Sequence, residues 1–235
     1  MKTFDELVEQ SESFNLDFKL EKIYNNGDYN LKLSNHFHPW SLKETEAKIV
    51  YNIILKNNLK FGFEIATAFG ISSCVIGQGL KITNGKLVTM DAYVEEHFNH
   101  SQQYGIGTKL IKTPETADGY KMASNLINNN NLSEIVSLEI GWSPDDVPSI
   151  LSKHFENTKL DFAFIDGGHS FEQIQADVNV ILNYLNDDSI IFFHDHHCVS
   201  DTTISFIKEN GFVNYINYNT GFDLWAYSKG SKFKL

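Results

Sequence analysis

The chain has 235 residues, 42% of them hydrophobic, and a formal charge of −11 in which all 19 cationic side chains are lysine. That length and apolar content suit one large α/β domain, or two small ones, with a sizeable core. An acidic, arginine-free chain lacks the bidentate groups that grip phosphate and guanine, which argues against nucleic acid as the main partner, and no apolar run approaches the roughly 20 residues of a membrane span.

The first 40 residues are irregular in pattern and read as a segment capping a domain that runs from 41 to 235. Their start, MKTFDELVEQSESF, has no apolar h-region, so no signal peptide is expected. Ser41 to Glu44, SLKE, reads as a capping box opening an amphipathic helix to about Leu55. LKFGFEI, 59–65, is the first expected strand, and its Gly62 points to close packing. A helix from about Ser72 to Ile82 is stopped by Asn84-Gly85. KLVTMD, 86–91, is the second strand. Tyr93 to Gly107 reads as a long loop or short helices of the kind that form lids. A helix over 115–128 and a strand over 134–140 follow. The Lys/Asn bias, including Asn128–Asn131, is read as compositional. PDDVPSILSKHF is expected to be helical with Pro144 in its first turn. LDFAFID, 160–166, is the fourth strand. Residues 171–186 carry a helical stripe of Phe171, Ile174, Val178, Ile181, Leu182 and Leu185. SIIFFHD, 189–195, is the fifth strand. A helix near 202–210 and two last strands, FVNYINY and FDLWAYS, complete the chain. This alternation predicts a doubly wound, mostly parallel sheet with helices on both faces. Cys74 and Cys198 make no disulfide framework and read as small buried hydrophobes, which fits a reducing cytoplasm.

Open α/β sheets bind ligands beyond the carboxyl ends of their strands. The polar residues Glu64, Asp91, Gly141-Trp142-Ser143, Asp166 and His194-Asp195 fall at those ends. After the first strand, EIATAFGIS supplies small residues, a tight turn and a helix start, a cradle for an anion such as a carboxylate or else a plain corner. It is not GxGxxG, so NAD is disfavoured. Asp91 is placed to accept the hydroxyls of a ribose, or to cap a helix. Asp166 and His194 end successive strands, 194 − 166 = 28 residues apart, and with Asp195 are candidates to converge on one divalent cation. Carboxylates suit Mg²⁺ or Mn²⁺, and an imidazole tilts the choice toward Mn²⁺, Fe²⁺ or Zn²⁺. His169, three residues past Asp166, is a candidate general base. The plainer reading makes Asp195 a helix cap among surface histidines. His196 and His197 are read as loop residues.

Taken together, these segments resemble a class I S-adenosylmethionine (SAM)-dependent methyltransferase. More narrowly, from about Trp40 onward, the chain is similar to metal-dependent O-methyltransferases of the catechol and macrolide-sugar kind (methyltransferase family 24-like). EIATAFGIS looks like the family's first motif, with Ala66 where glycine is usual. FAFIDGGHSFEQIQADV followed by IIFFHD is the most specific match, with His194 where an acid is usual. The resemblance implies a Rossmann-like fold whose seven-stranded sheet ends on an antiparallel strand. It implies that Glu64 and the Ala66–Gly70 backbone, with Thr67, lie under SAM, and that Ser72 bonds its carboxylate. Asp91 would hold the ribose, and Trp142 and Ser143 would face the adenine. Trp40 and Ser41 would close over the methionine end. Asp166, His194 and Asp195 would bind the metal (Mg²⁺ or Mn²⁺), Asp166 would also contact SAM, and His169 would be the base.

The implied reaction is in-line methyl transfer to a hydroxyl of a small molecule, a sugar or other vicinal diol. Neither nucleic acid nor membrane is an expected partner, and a homo-oligomer is compatible with the sequence. Two other readings keep part of the pattern. A metal-dependent hydrolase would use HDHH and leave the 63–72 loop and Asp91 idle. A non-catalytic SAM-binding module would explain Ala66 and His194.

Overall fold

The computed structural model describes residue 42 and residues 44–93, 119–217, 224–231 and 233. In chain order the elements are α1 (Glu44–Asn57), β1 (Phe61–Ile65), α2 (Ile71–Thr83), β2 (Lys86–Asp91), α3 (Gly119–Asn129), β3 (Val136–Ile140), α4 (Val147–Phe155), β4 (Leu160–Ile165), α5 (Phe171–Ile181), β5 (Leu185–Phe193), α6 (Asp201–Glu209), β6 (Asn214–Asn217) and β7 (Trp225–Lys229). The seven strands form one sheet in the order β3-β2-β1-β4-β5-β7-β6. β7 runs antiparallel to both its neighbours, and the other pairings are parallel. This is the seven-stranded, Rossmann-like sheet that the resemblance implies. The order reverses beside β1, the switch point where such sheets hold ligands.

Parallel strands buried on both faces read as apolar runs, and β4 and β5 are of this kind. Alternate residues feed two cores. Phe162, Phe164, Ile190 and Phe192 pack with α1, α2 and α3. Ala163, Ile165, Ile191 and Phe193 pack with α4, α5 and α6. Gly62 pairs with Phe162 across β1 and β4, and a Cβ there would fall 2.1 Å from the Phe162 ring. The glycine is a seat for that ring.

Several expectations are adjusted. Val147–Phe155 carries Pro148, not Pro144, in its first turn; Pro144 follows a cis bond in the preceding turn. α5 stops at Ile181. Leu185 belongs to β5, where it pairs with Leu160, and Phe171 is exposed at the helix start. The capping box at Ser41, the lid stretch beyond Tyr93 and the capping segment 1–40 lie outside the described residues, as do Trp40 and Ser41. No helix among the described residues is long and apolar enough to cross a membrane.

Candidate active site

The ladder of the sheet continues one residue past each central strand. Ala66 and Thr67 donate their N–H groups to the Met90 carbonyl at 2.9 and 3.2 Å, Asp166 donates to Ile65 at 3.2 Å, and His194 donates to Ile165 at 3.1 Å. Asp166 and His194 are thereby the first residues beyond their strands, held in register by their neighbours, and they emerge along one edge with Asp91, the last residue of β2, and Glu64, the last but one of β1.

At the β1 tip, Glu64 is fully buried. Its Oε2 accepts from the Ser73 hydroxyl and, at 2.6 Å, from Thr89 Oγ1, while Oε1 is buried without a hydrogen-bond partner. Burial pushes its carboxyl up to about 7, against the pull of the Ser72, Ser73 and Thr89 hydroxyls. Ser72 is therefore a neighbour of this acid, itself buried. The turn that follows bends through left-handed conformations at Ala66 (φ 75°), Ala68 (φ 45°) and Gly70 (φ 84°). Thr67 Oγ1 meets Thr89 Oγ1 at 2.6 Å. Gly70 caps α2 without a side-chain bond, which leaves the first amides of α2 to other partners.

Asp91 is fixed at the β2 tip. Its Oδ2 accepts from the Ala68 N–H and its Oδ1 from the Tyr93 N–H, both at 2.9 Å. It ties the β1 turn to β2, and each oxygen keeps a lone pair for a ligand hydroxyl. Turn, acid and helix start thus meet at one edge of the sheet, where the Glu64 carboxyl is buried with one oxygen unpartnered. These groups fit a nucleoside bearing an amino-acid tail.

At the β3 tip, Trp142 is 45% exposed and its N–H donates to Asp146 Oδ2. Ser143 turns its hydroxyl inward, donating to Asp177 Oδ1 at 2.5 Å. Gln173 Nε2 bonds the Ser143 carbonyl at 2.8 Å and the same Asp177 oxygen at 3.0 Å. Asp177 is fully buried, its Oδ2 has no partner, and burial raises its carboxyl to about 6.

Beyond β4 and β5 the second group converges. His194 Nδ1 lies 3.0 Å from Asp166 Oδ1 and 3.3 Å from Asp195 Oδ2, and its Nε2 lies 3.3 Å from Glu46 Oε2. His169 Nε2 is 3.4 Å from Asp195 Oδ2. Burial alone would lower the His194 pKa, but Asp166, Asp195 and Glu46 raise it well above the ordinary imidazole value. Burial would raise Asp195, yet His194, with His169 and His197 beyond it, holds it below the usual carboxylate range. Asp195 adopts φ 54° at the start of the 3-10 turn His196–Cys198 and makes no side-chain cap bond, so the helix-cap reading fails. His196 is no loop bystander: it is buried, stacked 4.0 Å from Trp225 and bonded to the Tyr227 hydroxyl at 2.8 Å.

One donor atom each from Asp166, His169 and Asp195 lie within 4.8 Å of one another. The imidazole of that group is thus His169, and His194 Nδ1 stands 3.0 and 3.3 Å from its two carboxylates, Asp166 and Asp195. The cluster fits a divalent cation.

Two buried acids of these networks, Glu46 and Asp177, are not among the residues expected from sequence. Each interrupts an apolar helical stripe, Glu46 before Ile49, Val50 and Ile53, and Asp177 between Ile174 and Ile181. An acid in such a stripe is the signal that finds them.

The fold has counterparts among solved structures. An O-methyltransferase from Bacillus cereus in complex with SAH has a TM-score of 0.63 at 18% identity, covering 95% of this chain and 97% of that one. The O-methyltransferase TomG from Streptomyces achromogenes, involved in tomaymycin synthesis and in complex with SAM, has 0.63 at 13%, covering 98% and 100%. The SAH-bound Podospora anserina methyltransferase PaMTH1 has 0.55 at 12%, covering 96% and 88%. No curated protein sequence matches. The family model described as a methyltransferase domain matches residues 63–196, more than half of the sequence, and runs from the first strand through both halves of the site; the chain belongs to that methyltransferase family.

Proposed function

We propose that the protein is a SAM-dependent O-methyltransferase acting on one hydroxyl of a vicinal diol, a sugar before a catechol, with a divalent cation and His169 as general base. The observation that carries this reading is the convergence of Asp166, His169, His194 and Asp195 beside the Glu64–Asp91 seat. O-methyltransferases bound to SAM or SAH share the fold, which supports the choice of donor and of acceptor atom.

The Ala66–Gly70 turn and the start of α2 would hold the amino-acid end of SAM, Asp91 its ribose hydroxyls, and Trp142 and Ser143 its adenine. With Trp40 and Ser41 closing the methionine end, the methyl would point toward the β4 and β5 tips. Asp166, His194 and Asp195 would hold the cation, which when bound supplies Lewis acidity to the two hydroxyls of a diol. His169, with its side chain 57% exposed, is open to an acceptor, and its Nε2 takes the hydroxyl proton. The oxygen–methyl bond forms as the sulfur–methyl bond breaks, and the bonding pair returns to sulfur. Aligning the partners contributes roughly 7–11 kcal/mol.

The test is methyl transfer from labelled SAM to a panel of sugars and catechols, with Mn²⁺ or Mg²⁺ and with EDTA. Transfer is expected with a cation and not with EDTA. Asp166→Ala abolishes it with the fold intact, and His169→Ala lowers kcat by about 10²–10⁴. Full turnover in EDTA would remove the metal from the reading. Wild-type turnover in Asp166→Ala would show the site to be misassigned.

A further inference from the structure

We propose that Glu46 is a positioning residue for the metal cluster: its carboxylate takes the Nε2–H of His194 and holds the ring with Nδ1 turned toward Asp166 and Asp195. The inference rests on the metal reading above and adds a residue outside the matched family segment, which begins at residue 63.

Glu46 sits in the first turns of α1 and its side chain is fully buried. A buried carboxylate is costly unless it is paired. Its Oε2 lies 3.3 Å from His194 Nε2, and the imidazole is itself only 5% exposed. The two nitrogens of an imidazole face opposite ways. Nδ1 faces the Asp166 and Asp195 oxygens at 3.0 and 3.3 Å, the side a cation would occupy, and Nε2 faces away from them toward Glu46. Glu46 stands on that far side of the ring, 148 residues away in sequence.

The consequence for ligation is specific. A histidine that binds a metal through one nitrogen is oriented, and made a better donor, when a carboxylate accepts the other N–H. Glu46 thereby adds a carboxylate to the cluster, one ring removed from Asp166 and Asp195. α1 thus becomes part of the site without touching the cation.

The experiment is Mn²⁺ binding followed by electron paramagnetic resonance of the free ion, on the full chain, for wild type, Glu46→Gln, Glu46→Ala and Asp166→Asn. Thermal unfolding and SAH binding are measured on each. Wild type is expected to bind Mn²⁺, and Asp166→Asn to lose it. Both Glu46 variants are expected to bind about 10–100-fold more weakly, with SAH affinity unchanged. Glu46→Gln is close to isosteric and decides the matter if Glu46→Ala does not fold. Wild-type Mn²⁺ affinity in folded Glu46→Gln and Glu46→Ala overturns the role of Glu46 and leaves the metal site standing. No Mn²⁺ binding by wild type brings down the metal reading, and this inference with it.

Discussion

Ala66 holds a conformation that a β-carbon resists. Its φ of 75° lies in the left-handed region, which costs an L-residue roughly 1–2 kcal/mol. The two bonds to the Met90 carbonyl, from Ala66 and Thr67, hold the turn there regardless. Alanine at this position thus keeps the turn at a cost in stability. Glycine at this position relieves the strain but loosens the unfolded chain, by roughly 0.5–1 kcal/mol. Ala66→Gly is expected to be neutral or stabilising by up to about 1 kcal/mol in urea unfolding, where the same exchange inside a helix destabilises; a loss above that amount would contradict the strain. Glu64 makes a second residue-scale prediction. The native carboxyl keeps its proton to about 7, while the unfolded one releases it near 4.5. Between those values the native state binds more protons, so stability falls as pH rises through the window and levels off above it. The loss is about 3 kcal/mol at 1.36 kcal/mol per pH unit. Without ligands, Glu64→Gln should flatten the fall measured between pH 5 and pH 8. Asp177, also raised by burial, adds a smaller slope that both proteins share. Identical pH profiles would mean that Glu64 ionises freely.

Elements were read from sequence where one cue dominated. β1, β2, β4 and β5 are short apolar runs bounded by polar tips, and helices follow at the spacing a parallel sheet needs. Boundaries were less legible. α5 ends at Ile181 because Leu185 is taken by Leu160 on β4, a long-range pairing that helical periodicity does not register. Pro148 rather than Pro144 starts α4 because Asp146 accepts the Trp142 N–H and sets the preceding turn first. Glu46 and Asp177 were passed over because a stripe is counted by its apolar members. Gly62 was legible as a contact but not as to its partner, and it carries an element-scale prediction. A methyl there meets the Phe162 ring at 2.1 Å from the central β1–β4 pairing, where neither backbone can retreat. Gly62→Ala should therefore destabilise by about 1–3 kcal/mol. The penalty should shrink in a Phe162→Leu background, because that exchange vacates the clash. Additive effects in the double-mutant cycle would place the strain elsewhere.

At the scale of the whole molecule the sheet works as a comb. Four neighbouring strands, β2, β1, β4 and β5, end in step, and the bonds Ala66 to Met90, Asp166 to Ile65 and His194 to Ile165 lock the comb just past its teeth. Sequence order scatters Glu64, Asp91, Asp166 and His194, and sheet order places them side by side. The comb also divides the labour. Glu64 and Asp91 lie on the β1–β2 side, the cluster on the β4–β5 side, and the backbone joins them. Donor binding and cation binding should then be separable. For wild type, SAH at a hundredfold excess over its Kd is expected to add about 2.7 kcal/mol to unfolding stability, and Mn²⁺ to stabilise as well. Asp195→Asn, which removes one carboxylate charge from the cation side only, should keep the SAH increment and lose the Mn²⁺ increment in calorimetry. Loss of both together would mean that the two halves form one cooperative site, with the β1–β4 junction at Ile65 and Asp166 as the hinge that couples them.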